Sequence, residues 1–358
     1  MNWNIEVSGD GPSTKISAAS EQDVLEQVTT ALKGKAAEIS IKTEPVDLSE
    51  PPAPPTLDEQ FWRTLVRRIK AGLCTPFLGA GVNEGIVPLG GEIAETWAKE
   101  NSYPLPDARD LPKVAQFMAL TGSDLMDCKE ELLERWFANV NLPPAKPPGQ
   151  EDQPLRFLAS LPIPVYLTTN YDNLMCRALS DAGKAPRREL CKWNSHPKVL
   201  PWKSVWNDKR GFKPTKDEPV VYHLHGIDTI YESLVLTEDD YLDFLVAATK
   251  ESQKADQKKN ALLPPAIQEA LAGSSILFVG YGLADWTFRV LYRGLLSSIE
   301  PGQKRASVAV QLAPGTPNNR AKVEQYLVKY FGNMDVRCYW STAQQFITAL
   351  REKLKHYG

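Results

Sequence analysis

From about residue 57 onward the sequence predicts an α/β fold with a doubly wound parallel sheet. A helical subdomain is inserted into it, and a small amino-terminal α+β unit stands before it. Three observations predict this. Segments with a helical apolar period alternate with short strands. The strands are continuous apolar runs, as expected where helices cover both faces of a parallel sheet. Four of them end in glycines or polar residues, at the edge where open parallel sheets bind ligands.

Residues 1–47 read as the small unit, with strands at Trp3 to Val7, Lys15 to Ala18 and Ala37 to Lys42. Between them, Val24, Leu25, Val28 and Leu32 give Glu21 to Leu32 a helical period. So short a segment can hardly bury a core alone, which makes it a candidate oligomer or partner contact. Residues 48–56, with Pro51, Pro52, Pro54 and Pro55, form a stiff extended linker.

The main domain is expected over 57–358. A helix from Leu57 to Ala71 leads into the strand Leu73 to Leu78. Helical period then dominates from Glu92 to about Trp136, closed by the proline-rich break Leu142 to Pro148. This stretch, about 92–150, is too long for a simple connection. Further strands are expected at Pro164 to Thr169, Val220 to Leu224, Ile276 to Val279, Ala306 to Leu312 and Val336 to Tyr339. In the last helix a capping box of Ser341 and Gln344 precedes the apolar stripe Phe346, Ile347 and Leu350.

With 358 residues, 42% of them hydrophobic, the chain has room for one large core or two domains. No apolar run approaches the ~20 residues that span a bilayer. Met1 to Glu6 lacks the basic-then-apolar pattern of a secretory signal. A net charge of −3 gives no general polyanion-binding surface, so nucleic acid is not expected to be bound directly. Lys192 to Lys216 interleaves basic residues with Trp193, Trp202 and Trp206, and reads as a surface loop anchored by its tryptophans rather than a stacking platform. The five cysteines are scattered, without the paired spacing of a zinc ribbon, and fit a reducing cytoplasm.

The four strand ends carry the functional signal. The first is Gly79-Ala80-Gly81-Val82-Asn83, where two glycines allow a sharp turn and close approach to a phosphate. The second, Thr168-Thr169-Asn170-Tyr171-Asp172, places Asn170 where its carbonyl would hold a water and its NH2 a ribose hydroxyl. Asp172 there would equally serve as a helix cap. The third contains His223 and His225 on one face, followed by Gly226. His225 at the strand end suits a general base, while His223, one step deeper, suits a structural role. Two histidines without a third donor at a convincing spacing make a weak metal site. The fourth is Gly280-Tyr281-Gly282, with Asp285 as a helix cap. Together the four describe a nucleotide site.

Gly79-Ala80-Gly81, Thr169-Asn170-Tyr171-Asp172, His225-Gly226 and Gly280-Tyr281-Gly282 resemble, in order and spacing, the sirtuin-like domains of bacterial antiviral and conflict systems. The resemblance extends to Phe157-Leu158-Ala159-Ser160-Leu161-Pro162, Leu236 to Tyr241 and Tyr339-Trp340, spanning about residues 57–355. It implies a Rossmann-like, sirtuin-type fold that binds NAD as substrate, with no metal.

It also implies roles. Asn170 and His225 would be the catalytic pair, with Asn170 positioning a water and His225 on the ribose hydroxyls. Asp172 would support the nicotinamide side, next to Asn83 and Thr169. Gly79, Ala80 and Gly81 would cradle the phosphates, and Gly280, Tyr281, Gly282 and Asp285 would line the adenosine side.

The activity implied is hydrolysis of the nicotinamide–ribose bond to nicotinamide and ADP-ribose, in an abortive-infection response to phage. Such an effector would be held in check by homo-oligomer assembly or by a partner ATPase or sensor protein. Two further readings stand beside it: a module that binds NAD or ADP-ribose without turnover, and an NAD-dependent protein deacylase. The deacylating branch carries a four-cysteine zinc module and a G-I-P-x-F-R stretch; this chain has neither, reading Gly85-Ile86-Val87-Pro88-Leu89 instead.

Overall fold

The structure, a computed structural model, describes residues 3–9, 11–18, 38–41, 57–122, 124–145, 147, 153–207, 211–252, 262–281, 307–311, 320–332 and 335–357. The chain divides into two compact units, one of residues 1–54 with 313–326 and one of 55–312 with 327–358. In the first, strands β1 (Trp3–Gly9), β2 (Gly11–Ala18) and β3 (Glu38–Ile41) form an antiparallel sheet in the order β2-β1-β3. The helix expected over Glu21 to Leu32 and the linker over 48–56 lie outside the described residues.

The second unit is built on seven parallel strands: β4 (Cys74–Leu78), β5 (Val165–Thr168), β6 (Arg187–Leu190), β7 (Val220–His223), β8 (Ser275–Val279), β9 (Ser307–Gln311) and β10 (Val336–Trp340). Their order is β10-β9-β8-β4-β5-β7-β6. From β4 the chain passes to β5, then to β6 at the edge and back to β7 between them, before it crosses to β8 on the other side of β4 and continues to β9 and β10. The winding reverses at β4, and a crevice opens beyond the carboxyl ends of β4, β5 and β8. Pro76, which has no N–H to give, lies inside this central strand. Pairing of β4 with β5 is confined to Phe77 with Leu167 and Leu78 with Thr168, after the proline.

Helix α1 (Glu59–Lys70) starts where the Asp58 carboxylate accepts the Phe61 N–H at 2.7 Å. It buries Phe61, Trp62, Leu65, Val66 and Ile69 along one face. That stripe shares a core with Leu158 of α5 (Pro154–Ser160), Leu174 of α6 (Leu174–Asp181), and Phe346, Ile347 and Leu350 of α10 (Ala343–His356). The capping box of α10 is corrected by one residue. Thr342, not Ser341, is the N-cap, exchanging hydrogen bonds with Gln345, because Ser341 still closes the turn out of β10. The remaining helices are α7 (Glu238–Ser252), α8 (Pro265–Gly273) and α9 (Arg320–Gly332).

Between β4 and β5 stand three helices, α2 (Gly90–Glu100), α3 (Leu111–Thr121) and α4 (Leu125–Trp136). Asp110 and Asp124 cap the second and third through their carboxylates. Ile93, Trp97, Val114, Met118, Cys128 and Leu132 make a separate core, closed by Leu234 and Leu236 from the segment after β7. One buried ion pair fixes this subdomain to the sheet. Lys129 of α4, 1% exposed, donates to Asp240 of α7 at 2.9 Å, and the other Asp240 oxygen accepts the Leu236 and Thr237 N–H groups. Removing one member of a dry pair leaves the other charge uncompensated, so Lys129→Ala is expected to cost about 3–5 kcal/mol in urea unfolding. Lys129→Met, tested beside it, still strands Asp240 and recovers only the packing share of that loss.

Candidate active site

A cavity of about 630 Å³ opens at the switch point, within the ~300–1,000 Å³ of small-molecule sites. Its walls come from the turns after β4, β5, β7 and β8 and from the three inserted helices; Ala80, Asn83, Thr169, Asn170, Tyr171, Asp172, His225, Gly280 and Tyr281 all face it. Gly282 and Asp285 lie outside the described residues.

The turns after β4 and β8 are pressed together backbone to backbone. Gly280 holds φ +80°, and a Cβ there would come within 2.7 Å of the Gly81 carbonyl carbon. A Cβ on Gly79 would lie 2.7 Å from the Gly280 oxygen. The Gly79 N–H donates to Val279 O at 2.9 Å and the Gly81 N–H to Gly280 O at 2.9 Å. Gly79, Ala80 and Gly81 form the turn expected to cradle phosphates. Two of its three N–H groups are already committed inside the protein, because the glycines serve contact between the two turns, and Ala80 is the member that lines the cavity.

Asn170 is fixed from several directions. Its N–H donates to Thr168 Oγ1 at 2.9 Å, its carbonyl oxygen meets His223 Nδ1 at 2.9 Å, and its side-chain NH2 donates to Gly79 O at 3.1 Å. One hydrogen of the NH2 is thus bound to the glycine turn, which leaves its second hydrogen and the amide carbonyl for a hydroxyl or a water. Beside it, Thr169 Oγ1 and Tyr281 OH lie 2.8 Å apart, and Tyr281 donates to Leu78 O at 3.1 Å. These bonds tie the ends of β4, β5 and β8 into one rim.

Asp172 caps a helix, as its position suggested, and also holds Asn83. One oxygen accepts the Leu174 N–H at 2.9 Å at the start of α6, and the other accepts the Asn83 NH2 at 2.7 Å. It is 7% exposed, and burial pushes its carboxyl up to about 6. The Asn83 side-chain amide oxygen, Oδ1, is buried and unpartnered among the described residues.

His225 is 3% exposed and sits edge-on to Tyr241 and Phe244, with ring centroids at 5.1 and 5.4 Å. This apolar box lowers its pKa to about 3, so the imidazole is neutral at physiological pH. Its Nε2 is buried with no partner among the described residues. Orphaned buried polar atoms are uncommon, and two on one cavity wall mark where a ligand's hydroxyl or amide would bind. Gly226 follows with φ +97°, and a Cβ there would meet the Ser233 carbonyl carbon at 2.6 Å. The segment 233–235 can therefore fold back over the strand end.

His223 has a structural place. Its Nδ1 faces Asn170 O and its Nε2 accepts from Arg188 Nε at 3.3 Å, so neither nitrogen is free for a metal. Among the described residues no three His, Cys, Asp or Glu side chains gather as a metal site. Arg188 itself, on strand β6, was not anticipated. Arg187-Arg188-Glu189-Leu190 has no apolar run to announce a strand, and Arg188 and Glu189 are each held by several specific hydrogen bonds. Glu189 accepts from Trp202 Nε1 at 2.8 Å and Ser204 Oγ at 3.0 Å, while Trp193 Nε1 donates to Ser233 O at 2.7 Å, so two of the loop tryptophans are anchors.

Residues 164–331 match the family model described as a SIR2-like domain. The match begins at β5 and takes in Asn170, Asp172, His225 and Gly280, while the turn after β4 precedes it. Proteins named NAD(+) hydrolase ThsA are similar to the chain. The one from Cytobacillus dafuensis is 26% identical over 211 residues, 58% of this chain and 35% of the relative. That from Bacillus cereus (strain MSX-D12) is 24% identical over 274 residues, 76% of this chain and 50% of the relative. That from Enterococcus faecium is 30% identical over 130 residues, 36% and 22% respectively. The chain thus spans half or less of the length of these relatives.

Two outcomes test the site as described. Gly280→Ala is expected to lose ~2 kcal/mol or more, because the left-handed backbone and the packed turn both oppose a Cβ. Asp172→Asn tests the carboxyl. Its folded pKa is raised from 3.8 to about 6, so ionisation penalises the native state above pH 6 and not below pH 4. Relative to wild type, the variant should gain up to ~3 kcal/mol between pH 4 and pH 7 in urea unfolding. A difference independent of pH would mean that the carboxyl is not desolvated.

Proposed function

We propose that this chain hydrolyses NAD at the nicotinamide–ribose bond, releasing nicotinamide and ADP-ribose. The observation that carries the reading is the meeting of Asn170 and His225 on one cavity at the switch point, His225 with an unpartnered buried nitrogen. The relatives named NAD(+) hydrolase support it.

The chemistry asks little of the side chains. Departure of nicotinamide leaves an oxocarbenium-like ribosyl centre, as in glycoside cleavage. Nicotinamide in NAD is a cationic leaving group, so no acid has to protonate it. What remains is to hold the dinucleotide, stabilise the ribosyl cation and present a water. The Asn170 carbonyl presents the water. Neutral His225 acts on the ribose hydroxyls as a hydrogen-bonding partner. With its pKa near 3 it is a poor acceptor of a full proton, which shifts its role from general base to orientation. Asp172 and Asn83 form the nicotinamide side, Thr169 completes the rim, Ala80 meets the phosphates, and Gly280, Tyr281, Gly282 and Asp285 take the adenosine side.

Antiphage defence by NAD depletion is the biological role we infer, with activity restrained by homo-oligomer assembly or by a partner ATPase or sensor protein. The amino-terminal unit is the candidate for that contact. The cytoplasm is the compartment in which this substrate is met. No described helix is long and apolar enough to cross a membrane.

The test is nicotinamide release from NAD by the purified chain, with and without an acetylated peptide. Release without peptide, reduced ~10²–10⁴-fold in Asn170→Ala and in His225→Ala, is the expected outcome. Release that requires peptide would make it a deacylase. Tight NAD binding with no release, under conditions where the relatives are active, would make it a sensor.

A further inference from the structure

The guanidinium of Arg188 holds two consecutive carbonyls of the Asn170 turn, one directly and one through an imidazole. Its Nη2 donates to Tyr171 O at 2.8 Å, its Nε donates to His223 Nε2 at 3.3 Å, and its Nη1 pairs with Asp228 Oδ1 at 2.7 Å. The Asp228 N–H adds a second donor to Tyr171 O at 2.9 Å. Because Arg188 can only donate, His223 Nε2 must accept. His223 therefore carries its proton on Nδ1, and that N–H donates to Asn170 O at 2.9 Å.

We propose that Arg188 is a positioning residue which, through His223, sets the backbone of Asn170 and so the direction in which its side-chain carbonyl faces the cavity. The proposal rests on the hydrolase reading for its catalytic consequence, though not for the relay itself.

The physical case rests on geometry. Strand β5 ends at Thr168, so Asn170 and Tyr171 have left the ladder and their carbonyls have no sheet partner. An unconstrained strand end would let the Asn170 side chain swing, and misplacement by about 1 Å can cost ~10²-fold in rate. The register of β6 against β7 places Arg188 opposite Val221 and Leu190 opposite His223, which brings the guanidinium beneath the imidazole from the edge of the sheet. Arg188 and Asp228 are 17% and 21% exposed, so the pair is shielded but reachable, whereas His223 is buried at 1%. A lysine carries its three donors on one nitrogen and cannot reproduce the planar fork whose three nitrogens reach these acceptors.

The experiment uses the full chain, with 15N-labelled histidine and asparagine, as wild type, Arg188→Lys and Arg188→Gln. In the wild type the His223 ring should give the signature of a neutral imidazole protonated on Nδ1 at neutral pH. Arg188→Lys should move that signal toward a mixture of tautomers and shift the Asn170 side-chain amide resonance. Nicotinamide release is measured on the same samples. The expected split is a kcat lowered ~10-fold or more with KM for NAD within about threefold, because orientation rather than binding is lost. Thermal unfolding of each variant separates this from a fall in folded protein, which would lower the amplitude of activity and not the kcat of the folded fraction.

An unchanged His223 signal in both variants overturns the relay. A changed signal with kcat within twofold of wild type overturns its positioning role. If the wild-type chain releases no nicotinamide, the hydrolase reading falls. The relay is then decided by the imidazole and Asn170 amide signals alone.

Discussion

Everything at the cavity depends on how closely two backbone turns approach at the middle of the sheet. Gly79 and Gly81 lie against Gly280 with no side chain between them, and two N–H···O=C bonds cross the contact. The NH2 of Asn170 then donates to Gly79 O, and Tyr281 reaches back to Leu78 O. The Asn170 amide is oriented by an oxygen that belongs to the glycine contact. A larger residue at any of the three glycines would part the turns and move the acceptor on which Asn170 relies.

The second constraint is desolvation. Tyr241 and Phe244 box the His225 ring, and burial likewise raises the Asp172 carboxyl. A low-dielectric wall strengthens any hydrogen bond that a ligand forms there and makes unpaired groups costly. The unpartnered His225 Nε2 and Asn83 oxygen are costs of this kind in the free protein. A ligand that supplies their partners recovers that cost on binding, which favours a polar, multiply hydroxylated molecule over an apolar one in a cavity of this shape.

Much of this was legible in the sequence, for identifiable reasons. Buried parallel strands such as Cys74–Leu78 and Ser275–Val279 are near-continuous apolar runs, and their ends punctuate them with glycine, so existence and position could both be read. Asn170, Asp172 and His225 stood out because polar residues at apolar strand ends need a reason. Strand β6 did not, since Arg188 and Glu189 are buried by individual hydrogen bonds that no periodicity records. The role of Gly79 and Gly81 was also hidden. A glycine needed for contact with another turn and a glycine needed for a phosphate look alike in one dimension. Only the pairing with Gly280, some 200 residues away, separates them.

The inserted helices matter to this argument because they complete the walls. The main core, with Trp62 against Phe346 at 5.8 Å, would close beneath the sheet without them. Above the strand ends, however, the cavity gains Ile93, Leu111, Leu132 and Phe137 from α2 to α4 and the residue after α4. Those helices are held to the sheet side by Lys129 with Asp240, and Asp240 also caps the Leu236–Thr237 turn that follows the His225 segment. One buried carboxylate therefore links the roof of the cavity to the strand end that carries His225. Displacement of α4 would strand that carboxylate in an apolar setting.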